Sequence, residues 1–438
     1  MAKSGSFGMA GAGSLILKHS RIAVGLSVLL VLFLTSPVSA LLPDSSWARQ
    51  QYLDRMTDPM QHLPEPLRDF VSHPSGEGIL VRTYEQQGQR YFVFIHPQDD
   101  EFEIASPGTW IVRRNRENGD INQIKIFLQS HEGSYIRLQP HGRNTRMEVS
   151  LGGYTLYRNI PVPVSMTRAL TLPFSTLQRA TAGLVDWNLV LVDPADPGYR
   201  SVAQLAEEVR RYLRYLPDAE DGAIDEAGSF VFIETLRAME DNPGLNCSGF
   251  AKWVIDGMYH SRTGSWLPVA DMRQKHLDLR GNPWSVAFED QRDPWFGLDW
   301  TRNLATAMAA LDRGPSAWDN PQAQDITTIP VAGYLPNVGY AVEDLPGVFY
   351  WLALKEPGNI YLGSVNRSFG TAPVLRQHSH VVVFFPYFDE RGSLQVAVME
   401  RNVESGLTSL QRRYRGDFVH LVRVPATLPF SPPTPFIR

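Results

Sequence analysis

The sequence predicts an α+β protein in which a β-rich stretch precedes a region of mixed helix and strand. Two observations predict it. Apolar residues alternate with polar ones, with turn residues between the runs, over about residues 76–190. The period then becomes helical just after a turn-rich break, Asp193-Pro194-Ala195-Asp196-Pro197-Gly198. Composition agrees: of 438 residues, 43% are hydrophobic and 20% charged, as in ordinary globular proteins. The net charge of −5 gives no electrostatic case for binding nucleic acid.

The N-terminus reads as an export leader. Lys3, Lys18 and Arg21 are its only charges, and the apolar run Ile22–Thr35 spans 14 residues. That is short for a spanning helix and suits a signal core. Small residues then lead to Ala40, predicting a signal peptide over 1–40 and an exported chain with no transmembrane span after cleavage. The competing reading is an uncleaved anchor. Cleavage would take the net charge from −5 to −8.

Ser45–Met56 and Pro64–Val71 read as short helices. Gly78–Tyr84 and Arg90–Ile95 read as strands joined across Gln86-Gln87-Gly88. Ile124, Ile126 and Leu128, then Met147, Val149 and Leu151, alternate with polar residues, and Gly152-Gly153 turns into Tyr154–Tyr157. The resulting β-rich region covers 41–195. Beyond the break, Ser201 is a candidate cap, and Val202, Leu205, Val209, Leu213 and Leu216 share a helix face. This opens a second region, 200–425. Residues 263–325, rich in Trp, Asp, Arg and Pro, read as loops with short helices, within a long insert of about 263–340. A Pro-rich tail occupies 426–438.

Chemistry centres on Cys247, the single cysteine. It is either a small buried hydrophobe or a tool. The residues Asn242-Pro243-Gly244-Leu245-Asn246 before it suit a loop, and Phe250, Val254 and Met258 after it share a helix face. Cys247 therefore stands at a helix N-terminus, where free N–H groups and the helix dipole favour thiolate. Further on, His378-Ser379-His380 enters the strand Val381–Phe385. A second strand, Leu394–Met399, ends in Glu400-Arg401-Asn402. If Glu390-Arg391-Gly392 is a three-residue loop with Gly392 left-handed, residue 389 pairs with 393. His380 then falls opposite Asn402, with Glu400 opposite Val382. A two-residue turn would put Arg401 opposite His380 instead. A thiolate, a histidine and a polar orienter form a nucleophile–base–orienter set.

Asn246-Cys247-Ser248-Gly249-Phe250 resembles the Asp-Cys-Ser-Gly-Phe nucleophile motif of NlpC-type cell-wall endopeptidases. Pro357-Gly358-Asn359-Ile360-Tyr361 followed by His380-Val381-Val382-Val383-Phe384 resembles the strand pair that carries their histidine. Glu400-Arg401-Asn402 resembles the Glu-x-Asn ending of CHAP amidases. The resemblance implies a papain-like NlpC/CHAP-type catalytic domain after the β-rich region, acting on peptide or amide bonds of peptidoglycan without a cofactor. It implies Cys247 as nucleophile, His380 as base, and Asn402 or Glu400 as orienter. The chain departs from the motif at Asn246, where the family has Asp, and in its long Cys-to-His spacing. Two readings compete with a hydrolase: an inactive envelope-binding protein on a peptidase-like fold, and a cysteine acyltransferase or a protease acting on protein. No metal-binding spacing is present.

Overall fold

The computed structural model describes residues 42–59, 67–73, 76, 78–97, 101–276, 297–372, 374–390 and 392–434. The expected leader lies outside them. Two short helices, α1 (Ser46–Gln51) and α2 (Leu53–Thr57), open the described chain. Eight strands follow: β1 (Arg68–Ser72), β2 (Gly78–Gln86), β3 (Gln89–Ile95), β4 (Trp110–Asn115), β5 (Ile121–Phe127), β6 (Tyr135–His141), β7 (Asn144–Leu151) and β8 (Tyr154–Val162). They pair antiparallel in sequence order, a meander without crossovers. The expected helix over Pro64–Val71 is instead β1 at its described end. Its residues Arg68–Ser72 pair with β2, so sheet pairing overrides local helical tendency. The turn between β2 and β3 places Gln87 at φ 51° and Gly88 at φ 70°, a mirror-image turn suited to a two-residue hairpin.

The strands end at Val162. Three short helices, α3 (Met166–Ala169), α4 (Phe174–Thr181) and α5 (Trp187–Val190), occupy the rest of what reads as β-rich. They join α1, α2 and the inner sheet face in one apolar core built on Trp110, Phe92, Phe94 and Leu177. Buried Arg49 of α1 stacks its guanidinium on Trp110 and donates to the carbonyls of Leu170 and Leu172.

Helix α6 (Pro197–Leu213) begins at the break and buries Val202, Leu205, Val209 and Leu213. Its cap is Asp196, whose Oδ1 accepts from Gly198 N–H at 2.7 Å, with Pro197 in the first turn. Ser201 sits inside the helix, donating to Pro197 O. A small hairpin, β9 (Ala223–Ile224) and β10 (Phe230–Val231), leads to α7 (Cys247–Thr263), then α8 (Val269–Met272) and α9 (Leu298–Arg313). Helix α9 corrects the reading of 263–325 as loops with short helices. It is a 16-residue helix, and Leu298–Ala309 is buried throughout, including Trp300 and Arg302. Its apolar residues Trp300, Leu304, Ala307, Met308 and Leu311 recur at helical spacing and face one core, with polar Asp299, Arg302 and Asn303 buried beside them.

Next come β11 (Tyr334–Leu335), β12 (Gly339–Ala341), α10 (Leu345–Lys355), β13 (Asn359–Phe369), β14 (Leu375–Phe388), β15 (Leu394–Glu400), β16 (Val403–Ser405), α11 (Leu407–Arg413) and β17 (Phe418–Pro425). They build an antiparallel sheet in the order β11-β12-β17-β13-β14-β15-β16. Val381, Val383 and Phe385 pack on one face with α6, α7 and α9. Val382 and Phe384 pack on the other with α10 and Leu410 of α11. Burial of both faces explains the unbroken apolar run in β14.

Residues Ser39–Arg438 form one compact unit. Tyr350 of α10 belongs to the core of the eight-stranded sheet, accepting from Ser134 Oγ at 3.1 Å and packing edge-on against Phe388. No helix among the described residues is long and apolar enough to cross a membrane.

Candidate active site

Cys247 is the first residue of α7. Asn246 caps the helix, its Oδ1 accepting from Gly249 N–H at 2.7 Å. A Cβ at Gly249 would lie 1.9 Å from Gly222 O, so only glycine lets the 217–222 loop pack against this helix end. The loop is held by Asn246 N–H to Gly222 O and Leu245 N–H to Pro217 O. Lower in the helix, buried Lys252 donates to Ile224 O at 2.8 Å and to Asp256 at 2.6 Å. The helix ends at Gly264, left-handed at φ 72°.

His380 lies on β14 at an irregularity. Val365 of β13 pairs with His380 and Asn366 with His378, so Ser379 is an extra residue. Such a bulge bends a strand and re-aims its side chains. Next to it, the His380 ring and the Val381 N–H both act electrostatically on the Cys247 sulfur. Nε2 of His380 is 2.9 Å from Oε2 of Glu400. With that nitrogen committed to the carboxylate, Nδ1 is the one left for sulfur.

The hairpin register is the expected one. Asp389 N–H donates to Ser393 O, Ser393 N–H donates to Asp389 Oδ1, Gly392 sits at φ 70°, and β14–β15 pairs run from Phe388↔Leu394 to Val383↔Met399. Asn402, however, does not reach His380. The chain reverses at Arg401, φ 51°, and Val403 pairs back onto Glu400. Asn402 donates to Leu216 O at 3.0 Å, and Arg401 pairs with Asp218 at 3.0 Å, tying the turn to the segment after α6. Glu400 is therefore the orienter in position, reaching diagonally across the strand pair. His378, the other histidine of the His-Ser-His run, pairs with Asn366 of β13. It lies buried between Ser364 Oγ and Asn337 O, each at 2.9 Å, and burial pushes it down to about 3. Glu404 binds Arg210.

Sequence reading missed the residues that hold Glu400. Ser405 Oγ donates to Oε1 at 2.5 Å, and Arg413 Nη2 donates to the same oxygen. Tyr414 stacks on His380 with centroids 6.0 Å apart and planes 23° apart. Arg413 and Tyr414 follow the two-residue turn and β16, and no local pattern ties them to Glu400.

Electrostatics favours an ion pair. Burial pushes the Cys247 thiol up, but the His380 charge and hydrogen bond, the Val381 N–H and Arg401 outweigh it, so the thiol lies below its usual value. Burial lowers His380, while Cys247 and Glu400 raise it to a net value of about 9. Burial raises Glu400, while hydrogen bonds from His380, Arg413 and Ser405 bring it to about 2. The arrangement can hold a thiolate, an imidazolium and a carboxylate in line near neutral pH. Among the described residues, no group of three or more His, Cys, Asp or Glu is arranged to hold a metal ion.

A second buried cluster lies beside it. Arg302 of α9 grips Asp325 through two nitrogens and donates to Asn337 Oδ1, and His420 of β17 is 3.3 Å from Asp325. These contacts tie α9 to the sheet.

One family model matches the chain: a domain of unknown function, DUF8515, over residues 38–189. The match takes in the eight-stranded sheet and α1–α5 and ends before Cys247. No curated protein and no solved structure matches the chain.

Proposed function

We propose that this chain is an exported cysteine hydrolase of papain-like architecture that cleaves peptide or amide bonds, with peptidoglycan peptides as its substrates. The observation that carries the reading is the contact set of His380: Cys247 on one side, Glu400 Oε2 at 2.9 Å on the other. A cysteine-bearing helix packed on an antiparallel sheet that carries the histidine supports the papain-like assignment. The peptidoglycan assignment rests on the NlpC and CHAP resemblance at Cys247, His380 and Glu400.

The Cys247 thiolate attacks the carbonyl carbon, forming a C–S bond and an oxyanion that N–H groups at the start of α7 can hold. The C–N bond breaks, and the leaving amine takes the proton from His380. His380, neutral again, takes a proton from water as its oxygen attacks the thioester. The C–S bond breaks, releasing carboxylic acid and regenerating thiolate and imidazolium. Glu400 holds the ring orientation throughout.

The test is incubation of the mature chain with purified peptidoglycan and with soluble stem peptides, read by mass spectrometry for new amine and carboxylate ends. The reading expects cleavage in the wild type and none in Cys247→Ser. Thiol labelling without any cleavage would replace it with an inactive binding protein. Acyl transfer to an added amine in preference to water would replace it with an acyltransferase.

A further inference from the structure

We propose that Arg413 is a positioning residue for the Cys247–His380 pair, fixing the rotamer and the charge of Glu400 from outside the strand pair that carries the acid. The inference rests on the hydrolase reading of this site and adds a residue that neither the NlpC nor the CHAP motif contains.

Glu400 has two oxygens and three side-chain donors. Oε1 takes Ser405 Oγ at 2.5 Å and Arg413 Nη2, which leaves Oε2 to His380 Nε2 at 2.9 Å. A carboxylate held at one oxygen by two donors presents the other in one direction. Arg413 also lies 3.4 Å from Ser405 Oγ, so the two holders support each other. Arg413 ends α11, which Leu410 anchors in the core under the sheet. The next residue, Tyr414, covers the His380 ring. Two consecutive residues thus hold His380 and the acid that orients it, one each.

The groups facing this site can be named element by element. Cys247 comes from α7, His380 from β14, Glu400 from β15, Ser405 from β16, Arg413 and Tyr414 from the end of α11, and Arg401 from the turn. Arg367 of β13 lies over Tyr414 and pairs with Asp417. Arg413 is the cation in direct contact with the carboxylate oxygen that His380 does not use. Without it, Glu400 becomes easier to protonate and free to turn. A protonated Glu400 no longer supports the imidazolium, and the thiolate loses its counter-ion. The acid limb of thiolate formation then moves to higher pH.

The experiment needs no substrate. The rate of Cys247 alkylation by iodoacetamide is measured against pH for the wild type, Arg413→Met, Arg413→Gln and Arg413→Lys, with folding followed by thermal melting. The expectation is that Met and Gln move the acid limb up by roughly half to one pH unit, while Lys restores most of the wild-type profile. Gln can still donate a hydrogen bond, so a Gln limb that matches wild type would overturn the charge argument. Unmoved limbs in both folded variants, with a depressed wild-type thiol, would overturn the inference and leave the hydrolase reading standing. A wild-type thiol titrating like free cysteine would overturn the hydrolase reading itself.

Discussion

Oε2 of Glu400 lies 2.9 Å from Nε2 of His380, although the two residues are diagonal and not opposite in the β14–β15 ladder. The neighbouring position that straight extrapolation favours, Asn402, is turned away to Leu216 O. Glu400→Ala should therefore lower turnover by roughly 10²–10⁴-fold, the scale set by a correctly poised acid–base group. Asn402→Ala should cost less than about tenfold, a change too small for a lost orienter. Parallel kcat measurements on a peptide substrate decide it, and a larger loss at Asn402 would reverse the assignment.

The difference between these two residues marks where sequence reading stops working. Period-2 alternation and the left-handed Gly392 carry the register of β14 and β15 as far as Met399. Two backbone events then break the extrapolation: the bulge at Ser379 and the reversal at Arg401. Neither is written in the residue pattern: Ser379 lies among polar residues just before the apolar run Val381–Phe385, and no glycine marks the left-handed Arg401. Cys247 at a helix start was legible from the Asn-Pro-Gly loop before it and the apolar face after it. Helix α9 was not, although Trp300, Leu304, Ala307, Met308 and Leu311 repeat at helical spacing, because the Trp-, Asp-, Arg- and Pro-rich composition around it reads as loop. Arg413 and Tyr414 were invisible because they meet the site through tertiary contact alone.

The ion pair sets a pH window. The Cys247 thiol is depressed, and His380 is raised to about 9. The thiolate–imidazolium pair should form on the acid side of the ordinary thiol value of about 8.5 and lose the imidazolium proton as pH passes about 9. Turnover should show an alkaline limb near that value, and His380→Gln should raise the alkylation midpoint toward that of a free thiol. A wild-type midpoint at the free-cysteine value would contradict the contact between the two side chains.

Glu400 also links the site to acid stability. Its folded value, about 2, lies below its ordinary value of 4.5, so its ionisation stabilises the fold above that ordinary value. The contribution fades as pH falls toward 2. Glu400→Gln should melt below the wild type at pH 7, and the gap should narrow once pH drops under 4.5. A gap constant from pH 7 to pH 3 would mean that the carboxylate charge contributes nothing to folding.

Export predicts a defined end. The apolar core and small-residue site before Leu41 call for cleavage after Ala40. Intact mass of the chain recovered from an exporting host should begin at Leu41. Recovery of the full chain from membranes would favour the anchor reading.

The helix that presents Cys247 should depend on its internal ion pair. Lys252 and Asp256 are both fully buried, 2.6 Å apart, with Lys252 also on Ile224 O and Asp256 also accepting from Leu267 N–H. Lys252→Met fits the space but leaves Asp256 without its cation, a change that costs about 3–5 kcal/mol at buried pairs. Urea unfolding at pH 7 should show that loss. Burial already holds the Asp256 carboxyl above its usual value, against the pull of Lys252. Without Lys252 the folded value rises further above the unfolded one, so the penalty applies once pH exceeds the unfolded value of about 3.9. Acidification toward that value should therefore shrink the Lys252→Met deficit. The double variant Lys252→Met/Asp256→Asn keeps an acceptor for Leu267 N–H and removes the charge, so it should recover part of the loss at pH 7. A single-variant deficit that ignores pH, together with a double variant no better than the single, would mean the loss comes from the orphaned Ile224 carbonyl and not from the stranded charge.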